Sequence, residues 1–468
     1  MKRIAVRAVS LLVFSVLVTT GPVLPEPEAR QACVRWTPLT ESSGFHLNCD
    51  SPSFLRLARD PEGLFSFPGM KRQSRPIYVF LGAALAFPLG YLAPSLEWPL
   101  PDGLAVSWWA YTLINFAIVL AAVWIFDTLV GPGGSLTVPA FVFGSWLIAN
   151  DVVKLFIWSP HTQLFNILIP VVAVAVSKDG LERRRTTSAR AWTIGFLLGI
   201  GTLAYGSCAI ACVAYVASLW LRRWFASPMS GRRVALGQSF VALGAYVVPI
   251  IAWISYVWLR TGGFYSHEVR SYRQFIWIQD AWSEGLMELV TAFAANLGFF
   301  LPTVASSLWL PVTVLCALLM AAWQSEVPLR RIARERRELL VATTVVFGST
   351  FSFLALLGFY AERLSWALVP PLLIVCVVLG DALEINLRRC RRNMLRTGMV
   401  VVLAVGVAVE LRRGVPPLLP GSPAQAAAWA SRLRTPSAEQ ASDAPAPSGD
   451  AVGSERRGSR KWLRKNFR

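Results

Sequence analysis

Three stretches of the 468-residue chain carry side chains whose types and spacing suggest chemistry. In 158-WSPHTQLFN-166, His161, Gln163 and Asn166 place three hydrogen-bonding groups beside an apolar run, more than a turn requires. The plainer alternative there is a capped helix start, with Ser159 before Pro160. In 264-FYSHEVRSYRQFIWIQDAWSEG-285, aromatics alternate with His267, Glu268, Arg270, Arg273, Asp280 and Glu284. Aromatic platforms flanked by carboxylates and amides hold sugars by stacking against the C–H face of the ring, although a membrane-interface belt is also rich in Trp and Tyr. In 47-LNCDSPSFLRLARDP-61, Ser51 can cap a helix with Pro52 in its first turn, where the missing N–H costs nothing. Asp50 stands at that N-terminus, where the helix dipole favours a carboxylate, and taken alone it reads as a capping residue.

The elements that must position these groups are membrane helices. With 54% hydrophobic residues, a mean hydropathy of +0.50 and only 15% charged residues, the chain is too apolar for a soluble globule. Long apolar runs without period-2 alternation exclude a β-barrel. At roughly 17 to 25 apolar residues per crossing, spans are expected near 8–25, 76–96, 107–131, 136–153, 163–177, 191–205, 207–221, 234–259, 298–323, 340–359, 364–383 and, weakly, 397–411. The expected fold is an all-α integral membrane protein of about 11–12 transmembrane helices. Its layout is a first transmembrane helix at 1–25, a loop at 26–75, a multi-span domain at 76–411 and a basic tail at 412–468. The first run also has the basic start and apolar core of a signal peptide, but 22-PVLPEPEA-29 offers a poor small-residue cleavage site, which favours an uncleaved anchor.

Net charge is +18, and the basic residues fall in short clusters between apolar runs. Lys2/Arg3/Arg7, Lys178/Arg183/Arg184/Arg185/Arg190, Arg222/Arg223/Arg232/Arg233, Arg330/Arg331/Arg334/Arg336/Arg337 and Arg388/Arg389/Arg391/Arg392/Arg396 are expected on the cytoplasmic side. Segments 26–75, 260–285 and 360–363 then face outward. Four full crossings between 76 and 177 would put the 178–190 cluster on the wrong side, so one of those runs does not cross fully or two merge. The predominance of arginine among the 45 cations fits a GC-biased bacterial genome and hence a bacterial cytoplasmic membrane. No Asp, Glu, Lys, Arg or His is expected in the middle of a confident span, which argues against an ion-coupled pump.

In the outward loop, 52-PSFLRLAR-59 reads as an interfacial helix on the outer leaflet, with Phe54, Leu55, Leu57 and Ala58 on one side and Arg56 and Arg59 towards lipid headgroups. Cys33 and Cys49 lie in this loop and could pair in an oxidising compartment. Cys208, Cys212, Cys316, Cys376 and Cys390 read as packing residues, without the further ligands a metal site needs. Residues 415–458 read as disordered, and 456-RRGSRKWLRKNFR-468 should cling to anionic lipid if cytoplasmic. Nothing else supports nucleic-acid binding.

A first span, an outward Asp before "FLRLAR", then 75-RPIY-78 opening the next span, resembles the N-terminal layout of the GT-C glycosyltransferases, polytopic enzymes that use polyprenyl-phosphate sugars. The stretches 195-GFLLGIGTLAYG-206 and 362-ERLSWALVPPLLI-374 resemble later elements of the same pattern, over roughly residues 5 to 385. The resemblance implies a GT-C-like fold that transfers a sugar from a polyprenyl-phosphate donor to a glycan or lipid acceptor at the outer face. Asp50 would be the catalytic base, and the outward Arg75, Arg270, Arg273 and Arg363 would hold the donor phosphate. His161, Gln163, Asn166, His267 and Glu268 would contact sugar or acceptor. Asp50 has no acidic neighbour and the loop has no Asp-x-Asp, so a divalent metal has no support and no cofactor follows. Two other readings fit the same residues: a non-enzymatic carrier or flippase for a lipid-linked intermediate, and a membrane acyltransferase centred on His161.

Overall fold

The computed structural model describes residues 2–20, 34–40, 43–66, 72–92, 99–100, 104–131, 136–182, 187–225, 230–264, 274–358, 362–387 and 389–412. These are almost wholly helical apart from one two-stranded hairpin. Among the described residues, seven helices are long and apolar enough to cross a membrane, and two shorter apolar helices accompany them. The protein is a multi-pass, all-helical membrane protein. Cys390 and the tail beyond 412 have no described side chains.

Helix α1 (Lys2–Thr19) precedes β1 (Val34–Pro38), β2 (Gly44–Asn48) and α2 (Ser51–Arg59). Helices α3 (Pro76–Leu92) and α4 (Ala105–Val130) pack together. Of the four apolar runs between 76 and 177, 136–153 is broken into two short helices, and 76–96 forms a shorter apolar helix, Pro76–Leu92. The two short helices are α5 (Val138–Trp146) and α6 (Asp151–Phe156), with the break at 147–150. At 1.5 Å per residue, the nine residues of α5 rise about 14 Å, roughly half the hydrocarbon thickness. Asn150 bridges the break. Its amide donates to the Leu147 carbonyl at 2.8 Å and its Oδ1 accepts from the Val152 and Val153 amides, so one side chain closes α5 and caps α6.

Beyond α6 come α7 (Phe165–Glu182), the hairpin α8 (Ser188–Ala204) and α9 (Cys208–Phe225), and α10 (Ser230–Thr261). The hairpin turns at 205–207, between the two expected runs 191–205 and 207–221. Gly195 and Gly199 let α8 approach α10 closely, since a Cβ at either would lie 2.1 or 2.2 Å from the carbonyl oxygen of Ala242 or Tyr246. The chain continues through α11 (Ile276–Glu284), α12 (Leu286–Gln324), α13 (Leu329–Glu335), α14 (Arg337–Leu357), α15 (Glu362–Ser365), α16 (Val369–Asn386) and α17 (Arg389–Arg412). Helix α7 contacts α4, α9, α14 and α16 and so runs through the centre of the packing.

Two expectations are corrected. Arg7 does not flank a span: it is 2% exposed within α1, paired with Asp127 of α4 through both carboxylate oxygens at 3.0 and 2.9 Å. Its remaining N–H groups donate to the Ala140 and Phe141 carbonyls and to Ser145 Oγ, so all five donors are satisfied. Hydropathy sets the start of the span at residue 8, but a neutralising partner lets a charge enter the packing. The apolar side of α2 is also not turned to lipid. Phe54, Leu55, Leu57 and Ala58 are buried against α3 and α4, leaving Arg56 and Arg59 exposed.

Candidate functional site

Asp50 is delivered by the hairpin. The register from Pro38↔Gly44 to Val34↔Asn48 ends one turn before it, and Gly44 is needed because a Cβ would lie 2.5 Å from the Thr37 carbonyl and the Trp36 ring. The Asn48 amide donates to Ser159 Oγ at 2.7 Å, and Ser51 Oγ lies 3.1 Å from the same hydroxyl. Ser159 therefore ties the Asp50 turn to a segment more than a hundred residues away. Asp50, rather than Ser51, occupies the N-cap of α2, yet its side chain makes no capping bond. A carboxylate at an N-cap normally turns back to the helix amides. This one, 37% exposed, faces Arg72 and His161 instead.

Arg72 pairs with it, Arg75 acts on it through charge, and Arg363 lies beside His161. Arg72 Nη2 lies 2.6 Å from Asp50 Oδ1, its Nε donates to Ser53 Oγ at 2.9 Å, and its guanidinium lies 4.4 Å over the Phe54 ring. Arg75, three residues on, donates to Thr162 Oγ1 at 2.6 Å over the Tyr205 ring. Arg363 stacks 5.1 Å over Phe156, and its carbonyl accepts from Asn166 at 3.3 Å. Asn166 also donates to Gln163 Oε1, which Tyr205 OH reaches at 3.3 Å. Thus Asp50, Arg75, His161, Gln163, Asn166 and Arg363, chosen from separate stretches of sequence, form one connected cluster.

His161 has its tautomer fixed by its neighbours. Nδ1 accepts the Gln163 amide at 3.2 Å, so neutral imidazole carries its proton on Nε2, which lies 3.4 Å from Asp50 Oδ2. Burial is the main reason its pKa falls to about 4, with Arg363 and Arg75 adding to the effect and Asp50 opposing it. Burial on its own would raise the Asp50 carboxyl. Arg72, the His161 hydrogen bond and charge, and Arg75 outweigh it and hold Asp50 well below the usual carboxylate range. The pair at neutral pH is therefore a carboxylate beside a neutral imidazole donor.

Behind the cluster, Asn115 of α4 donates to the carbonyls of Phe156, Ile157 and Ser159 and accepts from Tyr78 OH at 3.1 Å, bracing the backbone that presents His161. Sequence reasoning missed Asn115, Tyr205 and Arg72. Asn115 and Tyr205 lie inside or beside apolar runs with no local signal. Arg72 could have been found from 71-KRQSR-75, where it stands one turn before Arg75. His267, Glu268, Arg270 and Arg273 lie outside the described residues, as does Cys33, whereas Cys49 is disulfide-bonded. Among the described residues, no three His, Cys, Asp or Glu side chains group as metal ligands.

No protein-family model and no curated protein matches the chain. Among solved structures, the chain is similar to ArnT from Cupriavidus metallidurans, in a crystal structure with bound undecaprenyl phosphate. The match has 14% sequence identity and a TM-score of 0.48, over 87% of this chain and 72% of that one.

Proposed function

We propose that the protein is a membrane glycosyltransferase that moves a sugar from a polyprenyl-phosphate donor to an acceptor, with Asp50 as the base. The observation that carries this reading is the Asp50 carboxylate, which leaves its helix uncapped and points among arginines and an imidazole N–H. In an inverting transfer the acceptor hydroxyl oxygen bonds to the anomeric carbon as its proton passes to a carboxylate. The C–O bond to phosphate breaks, with the electron pair leaving on phosphate. A lipid phosphate leaves as a stable anion and needs cations rather than a proton donor, which suits Arg75 and Arg363. Gln163, Asn166 and Tyr205 supply the hydrogen-bonding edge that would hold a sugar. The basic clusters favour an N-terminus on the cytoplasmic side and a site facing outward.

An acyltransferase centred on His161 has less support, because Nδ1 already accepts an amide and Nε2 carries the proton, leaving no lone pair to act as base. The test is transfer of radiolabel from polyprenyl-phosphate sugars by purified wild-type and Asp50→Asn protein in the same lipid. Loss of transfer in Asp50→Asn, with donor binding retained, is the expected result. No transfer by either protein across several donors, with lipid movement still measurable, would instead identify a carrier.

A further inference from the structure

The turn at 72–75 has a construction that sugar transfer alone does not call for. It is clamped from behind by Gln73, whose carbonyl accepts the Trp253 indole N–H at 2.7 Å and whose amide donates to the Leu64 carbonyl at 2.8 Å. The Arg75 amide bonds the Arg72 carbonyl at 2.9 Å, closing the turn and presenting two guanidiniums one turn apart. Arg72 is 4% exposed, and its Ser53 and Phe54 contacts hold it without help from Asp50. The contact with the carboxylate runs through Nη2. The guanidinium can therefore change the partner of its outer nitrogens while Nε and the ring contact stay in place.

That ion pair is a liability for a base. A carboxylate with a guanidinium nitrogen 2.6 Å from one of its oxygens has little affinity for a hydroxyl proton. The incoming donor supplies what would relieve it: a phosphate, which matches the guanidinium fork at least as well as a carboxylate does. Resting on the glycosyl-transfer reading above, we propose that Arg72 exchanges partners during turnover. It holds Asp50 in the empty site and turns to the donor phosphate in the loaded one, so the base is released only when a donor is present. In the loaded site the acceptor oxygen bonds to the anomeric carbon, its proton goes to Asp50, and the phosphate leaves with the electron pair of the broken C–O bond. Arg72 and Arg75 then face the negative charge the phosphate gains.

The experiment is a double-mutant cycle on binding of undecaprenyl monophosphate to the purified full-length protein in lipid nanodiscs, using wild type, Asp50→Asn, Arg72→Gln and the double variant. Exchange predicts that Asp50→Asn tightens binding about tenfold by removing the competitor for Arg72, and that the gain collapses in the Arg72→Gln background. An equal gain in both backgrounds would mean that Asp50 merely repels the anion, and no gain in either would mean no competition; either result overturns the exchange. If Arg72→Gln protein does not fold, Arg72→Lys takes its place, and the gain should shrink there because ammonium lacks the fork geometry. Absence of saturable binding by wild type would instead overturn the glycosyl-transfer reading, and the exchange with it.

Discussion

Asp50 and His161 are neighbours whose charge states are set by their surroundings, burial keeping the imidazole neutral and Arg72 foremost keeping the carboxylate ionised. Because Asp50 stays ionised far into the acid range, transfer should show no acid inflection from its protonation at mildly acidic pH in the free enzyme, as pH–rate profiles of kcat/KM would reveal. Asp50→Asn should lower kcat by about a hundredfold or more, the usual contribution of a general base, while far-ultraviolet circular dichroism stays unchanged because the side chain caps nothing. Stability should respond differently. His161 is pushed down to about 4, chiefly by burial, and His46 also to about 4, by burial and Lys154. Between pH 6.5 and about 4 the unfolded chain binds protons that the folded protein refuses at these positions, so stability is full above 6.5 and falls as pH falls through that window. Thermal unfolding in one detergent across that range checks it. The slope should weaken in His46→Phe, which keeps an aromatic ring against Trp36.

At the scale of elements, two side chains replace what hydrophobicity cannot supply. Asn150 closes one short helix and opens the next, so Asn150→Ala removes the cap and should cost about 0.5–2 kcal/mol. Because α6 leads directly into the segment carrying Ser159 and His161, the same change should weaken transfer more than it weakens donor binding. The Arg7–Asp127 pair is buried on both sides, at 2% and 4% exposure. Removing one partner strands a charge and should cost about 3–5 kcal/mol, whereas Arg7→Met with Asp127→Leu should recover much of the loss. Unfolding of the two single variants and the double variant decides this, and a double variant no better than the singles would overturn it. Gly144 belongs to the same construction, since a Cβ there would lie 2.3 Å from Arg7 Nη2. The sequence displays the basic start of α1 and the apolar run at 136–153, but not that they meet. Hydropathy averages over neighbours along the chain, and the charge on Arg7 is neutralised by a residue 120 positions away.

For the whole molecule, the distribution of basic clusters predicts which end of the bundle faces the cytoplasm. Arg59 lies exposed beside the candidate site, and Glu182 lies exposed at the far end of α7. In intact cells, Arg59→Cys protein should react with a membrane-impermeant maleimide at that position, and Glu182→Cys protein should react there only after permeabilisation. The reverse pattern would overturn the outward assignment of the site. The sequence by itself determined the class of molecule, because the cost of burying unpaired backbone leaves helices as the only way for such long apolar runs to cross lipid. It also marked the adjacent runs 191–205 and 207–221, and it made His161, Gln163 and Asn166 conspicuous against apolar surroundings. Only the tertiary structure decided that Asp50, Arg75, His161, Gln163, Asn166 and Arg363 share one cluster, that Arg72 rather than the helix amides engages Asp50, and that α2 packs on protein. Those outcomes depend on where Ser159, Asn115 and Gln73 fasten distant backbone. Hydrogen bonds of that kind are formed in space between residues that no periodicity or composition along the chain relates.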